Sequence, residues 1–294
     1  MDAESVKITT DNEQDNPVNI ETELLLEAIY RKYHYDFRGY VRPPLQRRLA
    51  QALPKFGCHT LSALQDRLIC DPSVFLGVLD RLTIQFSEMF RDPSYFRFLR
   101  REVLPILHTY PSLKVWCAGC SRGEEAYSLA ILFREEGLLE KTTIYATDIN
   151  PEALRQAEAG IYSIDRIADF SRNYQQTGAC GSLSDYYTAA YGAASFDKSL
   201  RRHILFADHS LATDHIFSEV HFVSCRNVLI YFDRDLQSHC FELFHEALCQ
   251  RGFLGLGARE ALRPRNWANC FEPIAPRDRI FRKARMNETN LREF

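Results

Sequence analysis

The chain has 294 residues, of which 46% are hydrophobic and 26% are charged, and its formal net charge is −3. This composition is typical of a globular protein and excludes a collagen-like or wholly disordered chain, while the slight negative charge argues against a nucleic-acid-binding protein. The length is sufficient for a main domain and a smaller one.

The sequence contains no signal peptide, lipidation motif or apolar run of membrane-spanning length, so we expect a cytoplasmic protein without membrane insertion. Its nine cysteines are an odd number and lie mostly in apolar contexts, which indicates reduced thiols. Cys117 and Cys120 have the spacing of a metal-binding pair. Because Cys117 belongs to an apolar strand and no second pair exists, we predict no metal site.

Residues 1–19 are polar and unpatterned, and they are predicted to form a disordered leader. From residue 20 to about 90, apolar residues recur every three or four positions, as at Leu45, Leu49 and Leu53. Breaks at Pro43-Pro44 and Phe56-Gly57 divide this stretch into short helices. The pattern therefore predicts a small all-helical N-terminal domain over residues 20–90.

A basic cluster marks this helical region. Residues 31–60 contain seven Lys or Arg residues against one Asp, and Arg47 and Arg48 lie on the helix predicted to follow Pro44. The cluster is either a solvated basic face or a docking surface for an acidic partner, which complementary charge would attract.

From about residue 113, short apolar strands alternate with helices, which predicts an α/β domain with a largely parallel sheet over residues 91–294. A stretch rich in Gly, Ala, Ser and Tyr at about 178–200 interrupts the alternation and is interpreted as a small insertion. Residues 271–284 are predicted to form an antiparallel hairpin. The predicted strands are Lys114–Ala118, Thr142–Thr147, His203–Phe206, Val220–Cys225 and Gly252–Gly257, and the predicted helices are Glu124–Glu136, one beginning at Pro151–Ala159, and Ser238–Cys249.

The first strand of this domain leads into the small-residue loop Gly119–Gly123, and a helix follows at once. Glycine in such a turn allows the backbone to approach a ligand closely. The second strand ends in Asp148, and an acid at that position can accept hydrogen bonds from two ribose hydroxyls. Together these features indicate a cofactor that contains a nucleoside.

The sequence of this loop argues against some nucleoside-containing cofactors. It lacks both the full G-x-G-x-x-G of dinucleotide enzymes and the Gly-Lys-Ser/Thr of a Walker loop, and Glu124 and Glu125 open the next helix. Two carboxylates there would repel a phosphate but suit a cationic ligand without phosphate, such as S-adenosylmethionine. The alternative is that the two acids only complement the helix dipole.

Five segments carry a further signal, in this order: Leu82–Arg91, Ser121–Glu125, Ala146–Ile149, Ala159–Tyr162 and Cys225–Phe232. They resemble the CheR-type chemotaxis receptor methyltransferases, and the resemblance extends from about Leu24 to Ala284. That family uses S-adenosylmethionine to methylate glutamate side chains of receptors. The resemblance implies a Rossmann-like methyltransferase domain with a small inserted subdomain, preceded by the all-helical domain.

Several site assignments follow from the resemblance alone. Arg91 and Tyr231 match the pair that the family places beside the transferred methyl group, and are the implied catalytic residues. The implied partner is the cytoplasmic helical region of chemotaxis receptors, bound by a monomer through Arg47 and Arg48. The implied cofactor contacts are Gln85, Ser87, Arg91, Glu125, Asp148, Ser210, Leu211, Arg226 and Asn227.

Some positions depart from the family pattern. Gln85, Ser87 and Ser210 replace the usual Asn, Thr and Asn, and Gly255–Glu260 replaces the usual Gly-His-Ser-Glu type of segment. The inserted stretch, which in some members captures a receptor's C-terminal peptide, is rich in Gly, Ala and Tyr. Two alternatives therefore stay open: a cofactor-binding signalling module with little catalysis, and a methyltransferase for a non-receptor acceptor.

Overall fold

A computed structural model describes residues 16–262, 267 and 269–284. The chain divides into two compact units, one ending at Leu82 and the other beginning at Thr83. The division falls before residue 90, where we expected the helical domain to end, so the segment over residues 83–92 belongs to the second unit. Residues 1–15 of the predicted leader lie outside the described residues.

The first unit is helical, as predicted. Helix α1 begins at Pro17, before the expected start at residue 20, because the Asn16 side chain caps it by accepting a hydrogen bond from the N–H of Val18 and because proline suits the first helical position. The buried face of the unit includes Leu25, Leu45 and Leu64. The helices are α1 (Pro17–Tyr33), α2 (Arg42–Ala52), α3 (Leu61–Cys70) and α4 (Pro72–Leu82).

The second unit is built on a seven-stranded sheet with the order β6-β2-β1-β7-β8-β10-β9. The first five strands in that order are parallel, and β10 and β9 form an antiparallel hairpin at one end, which confirms the predicted architecture. The strands are β1 (Leu113–Ala118), β2 (Thr142–Asp148), β6 (Ile204–Asp208), β7 (Val220–Cys225), β8 (Leu248–Leu256), β9 (Phe271–Ala275) and β10 (Ile280–Lys283).

Helices surround this sheet, and the central strand β1 is buried at five of its six residues, as expected for a strand covered on both faces. None of the described helices is long and apolar enough to cross a membrane. A π-helical stretch, Leu99–Val103, joins the first two helices of the unit. The helices are α5 (Pro93–Phe98), α6 (Leu104–Leu107), α7 (Glu124–Glu135), α8 (Pro151–Ala159), α9 (Ile164–Gln176), α10 (Lys198–Arg201) and α11 (Arg234–Ala247).

Helix α11 and strand β8 start earlier than predicted. The helix begins at Arg234 rather than Ser238, because the Asp233 side chain caps it by accepting a hydrogen bond from the N–H of Leu236. The strand begins at Leu248 rather than Gly252, and its pairing with β7 shifts register after Val220. Arg251 has a φ of 63° at this irregularity. The irregularity interrupts the alternation of buried and exposed residues, so the sequence pattern did not predict the first residues of the strand.

The insertion is a separate three-stranded antiparallel sheet with the order β3-β5-β4. Strands β4 (Tyr187–Ala190) and β5 (Ala193–Phe196) lie in the stretch expected at 178–200, and they are joined by a tight turn at Tyr191 and Gly192, both with positive φ. The third strand, β3 (Ile161–Ser163), lies outside the expected bounds, before helix α9. The inserted subdomain is therefore confirmed, but its sheet also includes β3, which lies before the predicted bounds of the insertion.

Candidate active site

The predicted cofactor residues of the second unit meet at one edge of the large sheet. Four neighbouring parallel strands end there, β1 at Ala118, β2 at Asp148, β6 at Asp208 and β7 at Cys225, and we call this the carboxyl edge. The chain order reverses between β1 and β7, and ligands of open α/β sheets bind at such a switch point. Asp148 ends β2, Arg226 and Asn227 follow β7 directly, Ser210 and Leu211 lie in the turn after β6, and Glu125 lies in the first turn of α7, after the loop that leaves β1.

The loop after β1 is held tightly against the neighbouring strand ends. The N–H groups of Gly119 and Cys120 both donate to the carbonyl oxygen of Thr147 at 2.8 Å. Gly119, Ser121 and Gly123 all have positive φ values, and a Cβ on Gly119 would lie 2.4 Å from Cγ2 of Val228. Only glycine fits at position 119, so the small residues of this loop serve both its backbone conformation and its close packing.

Asp148 faces this loop from the end of β2. Its Oδ2 accepts a hydrogen bond from the N–H of Ser121 at 2.8 Å, and its Oδ1 accepts one from the N–H of Asn150 at 2.9 Å. Burial raises the pKa of this carboxyl group, and the two backbone donors act in the opposite direction. A carboxylate has about four lone-pair sites, so acceptor capacity is left for a ligand's hydroxyl groups.

Gln85 lies across the carboxyl edge on the 83–92 segment. The Ser121 hydroxyl donates to its Oε1 at 2.8 Å, and the side-chain amide of Asn150 donates to the hydroxyl of Thr83 at 2.9 Å. Further along, the N–H of Phe90 donates to the hydroxyl of Ser128 at 2.9 Å. The structure thus brings the segment that carries Gln85, Ser87 and Arg91 onto the same edge as Asp148.

Arg226 is the centre of a buried charge network, with only 1% of its side chain exposed. Its Nη1 donates to Oε2 of Glu125 at 3.2 Å, and its Nη2 donates to Asp92 at 2.8 Å and to the carbonyl oxygen of Arg91 at 2.7 Å. Its guanidinium also lies over the ring of Tyr95, 4.1 Å from the centroid. Arg226 therefore fixes both the acid of helix α7 and the backbone at Arg91.

Helix α7 presents only one of its first two acids to this network. The hydroxyl of Ser224 donates to Glu125 at 2.6 Å, whereas Glu124 is fully buried and accepts a hydrogen bond from Arg166 at 2.6 Å. The idea that both carboxylates serve a cationic ligand is wrong for Glu124, whose charge Arg166 neutralises. Adjacent helical residues point about 100° apart, and here the two acids face different partners, Arg166 for Glu124 and Arg226 for Glu125.

Ser210 and Leu211 lie in a turn after β6. The N–H of Ser210 donates to Asp214 at 2.8 Å, its hydroxyl accepts from the N–H of Ala212 at 3.3 Å, and Leu211 is buried. This turn flanks Asp148, whose carbonyl oxygen accepts from the N–H of His209 at 3.3 Å. The predicted pair therefore lies beside the predicted ribose acid.

Tyr231 follows β7 on the short 3-10 helix Leu229–Tyr231 and is half-buried. Its N–H donates to the carbonyl oxygen of Val228 at 3.1 Å. Arg91 is also half-buried, and its carbonyl oxygen is bound by Arg226. Both predicted catalytic residues thus lie on segments anchored at the carboxyl edge.

Glu260 organises the loop before Tyr231 and was not assigned a role from the sequence. It is buried, and its two carboxylate oxygens accept four backbone hydrogen bonds at 2.6–3.0 Å. Burial raises its pKa, against the effect of these donors. Its position, shortly after β8, is the only sequence signal, and it gives no indication of the partners. The donors are the N–H groups of Gly257, Asn227, Val228 and Leu229.

The two arginines of the predicted docking helix differ in their surroundings within the first unit. Arg47 is exposed on α2. Arg48 is half-buried, and its guanidinium donates to the carbonyl oxygens of Pro44 and Leu82. Arg48 thus caps the last turn of α4, and Arg47 is the more accessible of the two.

The chemistry of the carboxyl edge fits an adenosyl ligand without phosphate. Asp148 offers a carboxylate with spare acceptor capacity, and the carboxylate of Glu125 lies in the first turn of α7, where a pyrophosphate would bind. The cationic Arg226 is already bound by Glu125 and Asp92. A dinucleotide or nucleoside triphosphate is therefore disfavoured, and S-adenosylmethionine is favoured.

Comparison with known proteins agrees with this geometry. The family profile of the CheR methyltransferase SAM binding domain matches residues 85–275, and that of the CheR methyltransferase all-alpha domain matches residues 20–83. A Pseudomonas putida protein named as the methyltransferase Cher3 is 56% identical over 266 residues, covering 90% of this chain and 97% of its own. A chemotaxis protein methyltransferase of Listeria monocytogenes is 28% identical over 237 residues, covering 80% of this chain and 87% of its own.

Among solved structures, the glycopeptide N-methyltransferase MtfA complexed with S-adenosyl-L-methionine aligns with 58% of this chain and 50% of its own. The identity is 10% and the TM-score is 0.34.

Proposed function

The chain belongs to the CheR methyltransferase family and is an S-adenosylmethionine-dependent methyltransferase, and from this we propose that it methylates glutamate side chains of chemotaxis receptors, giving glutamate methyl esters. The observation that carries the proposal is the convergence of Asp148, the Glu125–Arg226 pair and the 83–92 segment at the carboxyl edge. Relatives named as chemotaxis protein methyltransferases support the receptor as the acceptor.

Within this proposal, Asp148 would hold the ribose hydroxyls, and Glu125, which Arg226 and Ser224 hold in place, would contribute negative charge toward the cationic cofactor. When bound, S-adenosylmethionine supplies a methyl group on a positively charged sulfur, which a nucleophile can displace. A glutamate side chain has a reference pKa of about 4.3, so it is already ionised at neutral pH and needs no strong general base. The protein's task is therefore to exclude water and to hold the carboxylate in line.

Arg91 and Tyr231 have complementary roles in that task. Arg91 steers the incoming carboxylate by charge, although binding it too strongly would lower its reactivity. Tyr231 offers an aromatic face to the positive sulfur and a hydroxyl group beside the reacting atoms. Correct alignment of reacting groups at about 3–3.5 Å can lower a barrier by roughly 7–11 kcal/mol, so small displacements of either side chain matter.

The direct test is incubation of the protein with methyl-labelled S-adenosylmethionine and receptor cytoplasmic fragments. We expect labelled methyl groups that alkali releases, as esters require. Arg91→Ala should lower turnover at least about tenfold, and Tyr231→Phe should lower it several-fold, because each removes a group that aligns the reactants. Both variants should keep the wild-type melting temperature within about 3 °C, a change of roughly 1 kcal/mol. If no receptor fragment acquires alkali-labile label, the proposed acceptor is wrong.

Receptor docking is proposed to use α2, and specifically Arg47, since Arg48 is occupied as a cap. Arg47→Glu should lower kcat/KM for a receptor fragment about tenfold at low salt, and the loss should shrink at high ionic strength, because complementary charge drives the encounter. Binding of S-adenosylhomocysteine should not change. The matched control is Arg101→Glu, the same charge change at an exposed position outside the basic cluster.

A non-receptor acceptor is the second candidate, because the Pseudomonas putida relative is named only as a methyltransferase. Under this alternative, Arg47→Glu would have no effect on methylation of the true acceptor. Equal receptor methylation by Arg47→Glu and Arg101→Glu would contradict docking through Arg47, whereas absence of receptor methylation by the wild type would favour the second candidate.

A further inference from the structure

Helix α9 bonds directly to the backbone of the 83–92 segment. Arg166, in the first turn of this helix, donates through Nη1 to Oε1 of Glu124 at 2.6 Å and through Nη2 to the carbonyl oxygen of Ser87. Its guanidinium also lies over the ring of Phe170, 4.7 Å from the centroid. One side chain therefore joins the start of α7 to the backbone between Gln85 and Arg91.

A second set of contacts follows two turns later on α9. The side-chain amide of Asn173 donates to the carbonyl oxygen of Met89 at 3.1 Å, and the ring of Tyr174 packs against Phe90 with centroids 5.1 Å apart. Positions 166, 170, 173 and 174 follow the i, i+4, i+7, i+8 spacing of a single helix face. This face of α9 therefore holds residues 87–90 at several points.

Burying the carboxylate of Glu124, which forms an ion pair with Arg166, is costly. Glu124 is fully buried, and its second oxygen, Oε2, has no hydrogen-bond partner among the described residues. Burial raises the pKa of Glu124, and Arg166 opposes that effect. Replacing both members of such a pair with uncharged residues of similar volume often costs little stability, whereas removing only one leaves a buried charge unpaired. The two charges must therefore be removed together in any test of this pair.

We propose that Arg166, anchored by Glu124, is a positioning residue: it fixes Ser87, and with it the segment from Gln85 to Arg91, in the conformation that binds the cofactor. The inference rests on the proposed function, which assigns Gln85, Ser87 and Arg91 to the cofactor and the methyl group. Ser163, the last residue of β3, directly precedes α9, so the inserted sheet and this helix are joined without a loop.

The test separates positioning from simple stabilisation of the fold. In the double variant Glu124→Gln/Arg166→Met both charges are removed, so no buried charge is left unpaired and the methionine can still pack on Phe170. The donor to the Ser87 carbonyl is lost. By calorimetry on the full chain, we expect the double variant to bind S-adenosylhomocysteine about tenfold more weakly than the wild type, which is a loss of about 1.4 kcal/mol of binding free energy. Amide hydrogen exchange should be faster over residues 85–91.

Two controls complete the design. Arg172→Met removes an exposed arginine of the same helix, which pairs with Asp169, and should leave both the affinity and the exchange unchanged. Arg166→Lys keeps a positive charge beside Glu124 but cannot bridge both partners, so it should lose affinity by about threefold and serves if the double variant does not fold.

The possible outcomes are distinguishable. If the double variant folds and binds S-adenosylhomocysteine as tightly as the wild type, Arg166 does not position the segment and the inference is wrong. If the variants weaken binding as expected but the wild type produces no receptor methyl esters, the positioning role stands and the proposed acceptor fails. If the wild type does not bind S-adenosylhomocysteine, both fail.

Discussion

Replacing Asp148 with alanine is expected to weaken binding of S-adenosylmethionine and S-adenosylhomocysteine at least about 100-fold, or roughly 2.7 kcal/mol. Two hydrogen bonds from ribose hydroxyls to a charged acceptor are each worth about 1.5–3 kcal/mol, so the loss of both accounts for an effect of this size. The substitution also frees the N–H of Ser121, which Asp148 binds at 2.8 Å, and so loosens the loop after β1. Calorimetry with S-adenosylhomocysteine measures the change directly.

The neighbouring acid Asp208 gives a matched control. It ends β6 beside Asp148 in the sheet register, but its side chain is exposed. Asp208→Ala should change the affinity by no more than about threefold, since no hydrogen bond to a ligand is assigned to it. Equal affinities for Asp148→Ala and the wild type would place the ligand somewhere other than the end of β2.

The same carboxyl group predicts how cofactor binding depends on pH. Burial raises the pKa of Asp148, and the nearby Asp208 adds to this effect, so protonation begins at a higher pH than for an ordinary aspartate. The ionised form accepts hydrogen bonds from both hydroxyls, and protonation removes acceptor capacity. The dissociation constant of the wild type should therefore rise as the pH falls from 7 toward the raised pKa. In Asp148→Asn, which cannot ionise, this rise should be absent.

The sequence was sufficient where a local pattern determines the structure. The predicted β1 and β2 lie within one residue of the observed strands, because each is a short apolar run bounded by polar or small residues. Asp148 was identified for the same reason, since an acid at the end of the second strand is a local signal. Its contact with Ser121 follows from the loop that the glycines permit.

Features that depend on distant parts of the chain were missed. Strand β3 pairs with β5, thirty residues further along, and no local pattern in Ile161–Ser163 specifies that partner. Glu124 and Glu125 are adjacent and chemically identical, so only the packing of α7 determines which of them faces the carboxyl edge. The role of Glu260 depends on backbone N–H groups more than thirty residues away, which carry no sequence signal at all.

We expect the largest loss of stability from substitution of Glu260. Glu260→Ala would leave the N–H groups of Gly257, Asn227, Val228 and Leu229 without their acceptor in a buried site. Each unsatisfied buried donor costs about 1–3 kcal/mol, but removing a buried carboxylate also relieves its desolvation. We expect the free energy of unfolding to fall by about 3–5 kcal/mol, which lowers the melting temperature by roughly 10 °C.

Two further substitutions test whether the loss of the hydrogen bonds to Glu260 causes this fall in stability. Glu260→Gln keeps one acceptor oxygen but turns an NH₂ group toward two of the backbone donors, so its loss of stability should be intermediate, about 2–3 kcal/mol. Glu242→Ala removes an exposed acid from α11 and should change stability by less than about 0.5 kcal/mol. A Glu260→Ala variant as stable as Glu242→Ala would contradict the role assigned to these four hydrogen bonds.

The same loop leads to the proposed catalytic tyrosine, so the effect should extend to activity. Glu260 fixes Asn227, which has a φ of 62°, and the next residues form the 3-10 helix that ends at Tyr231. Non-glycine residues adopt that conformation uncommonly, and here the hydrogen bond from the N–H of Asn227 to Glu260 helps to hold it. At a temperature where Glu260→Gln is still folded, methyl transfer should therefore fall about tenfold or more, as expected when a catalytic side chain is displaced. Binding of S-adenosylhomocysteine, which Asp148 dominates, should fall less, and this difference distinguishes a displaced Tyr231 from general unfolding.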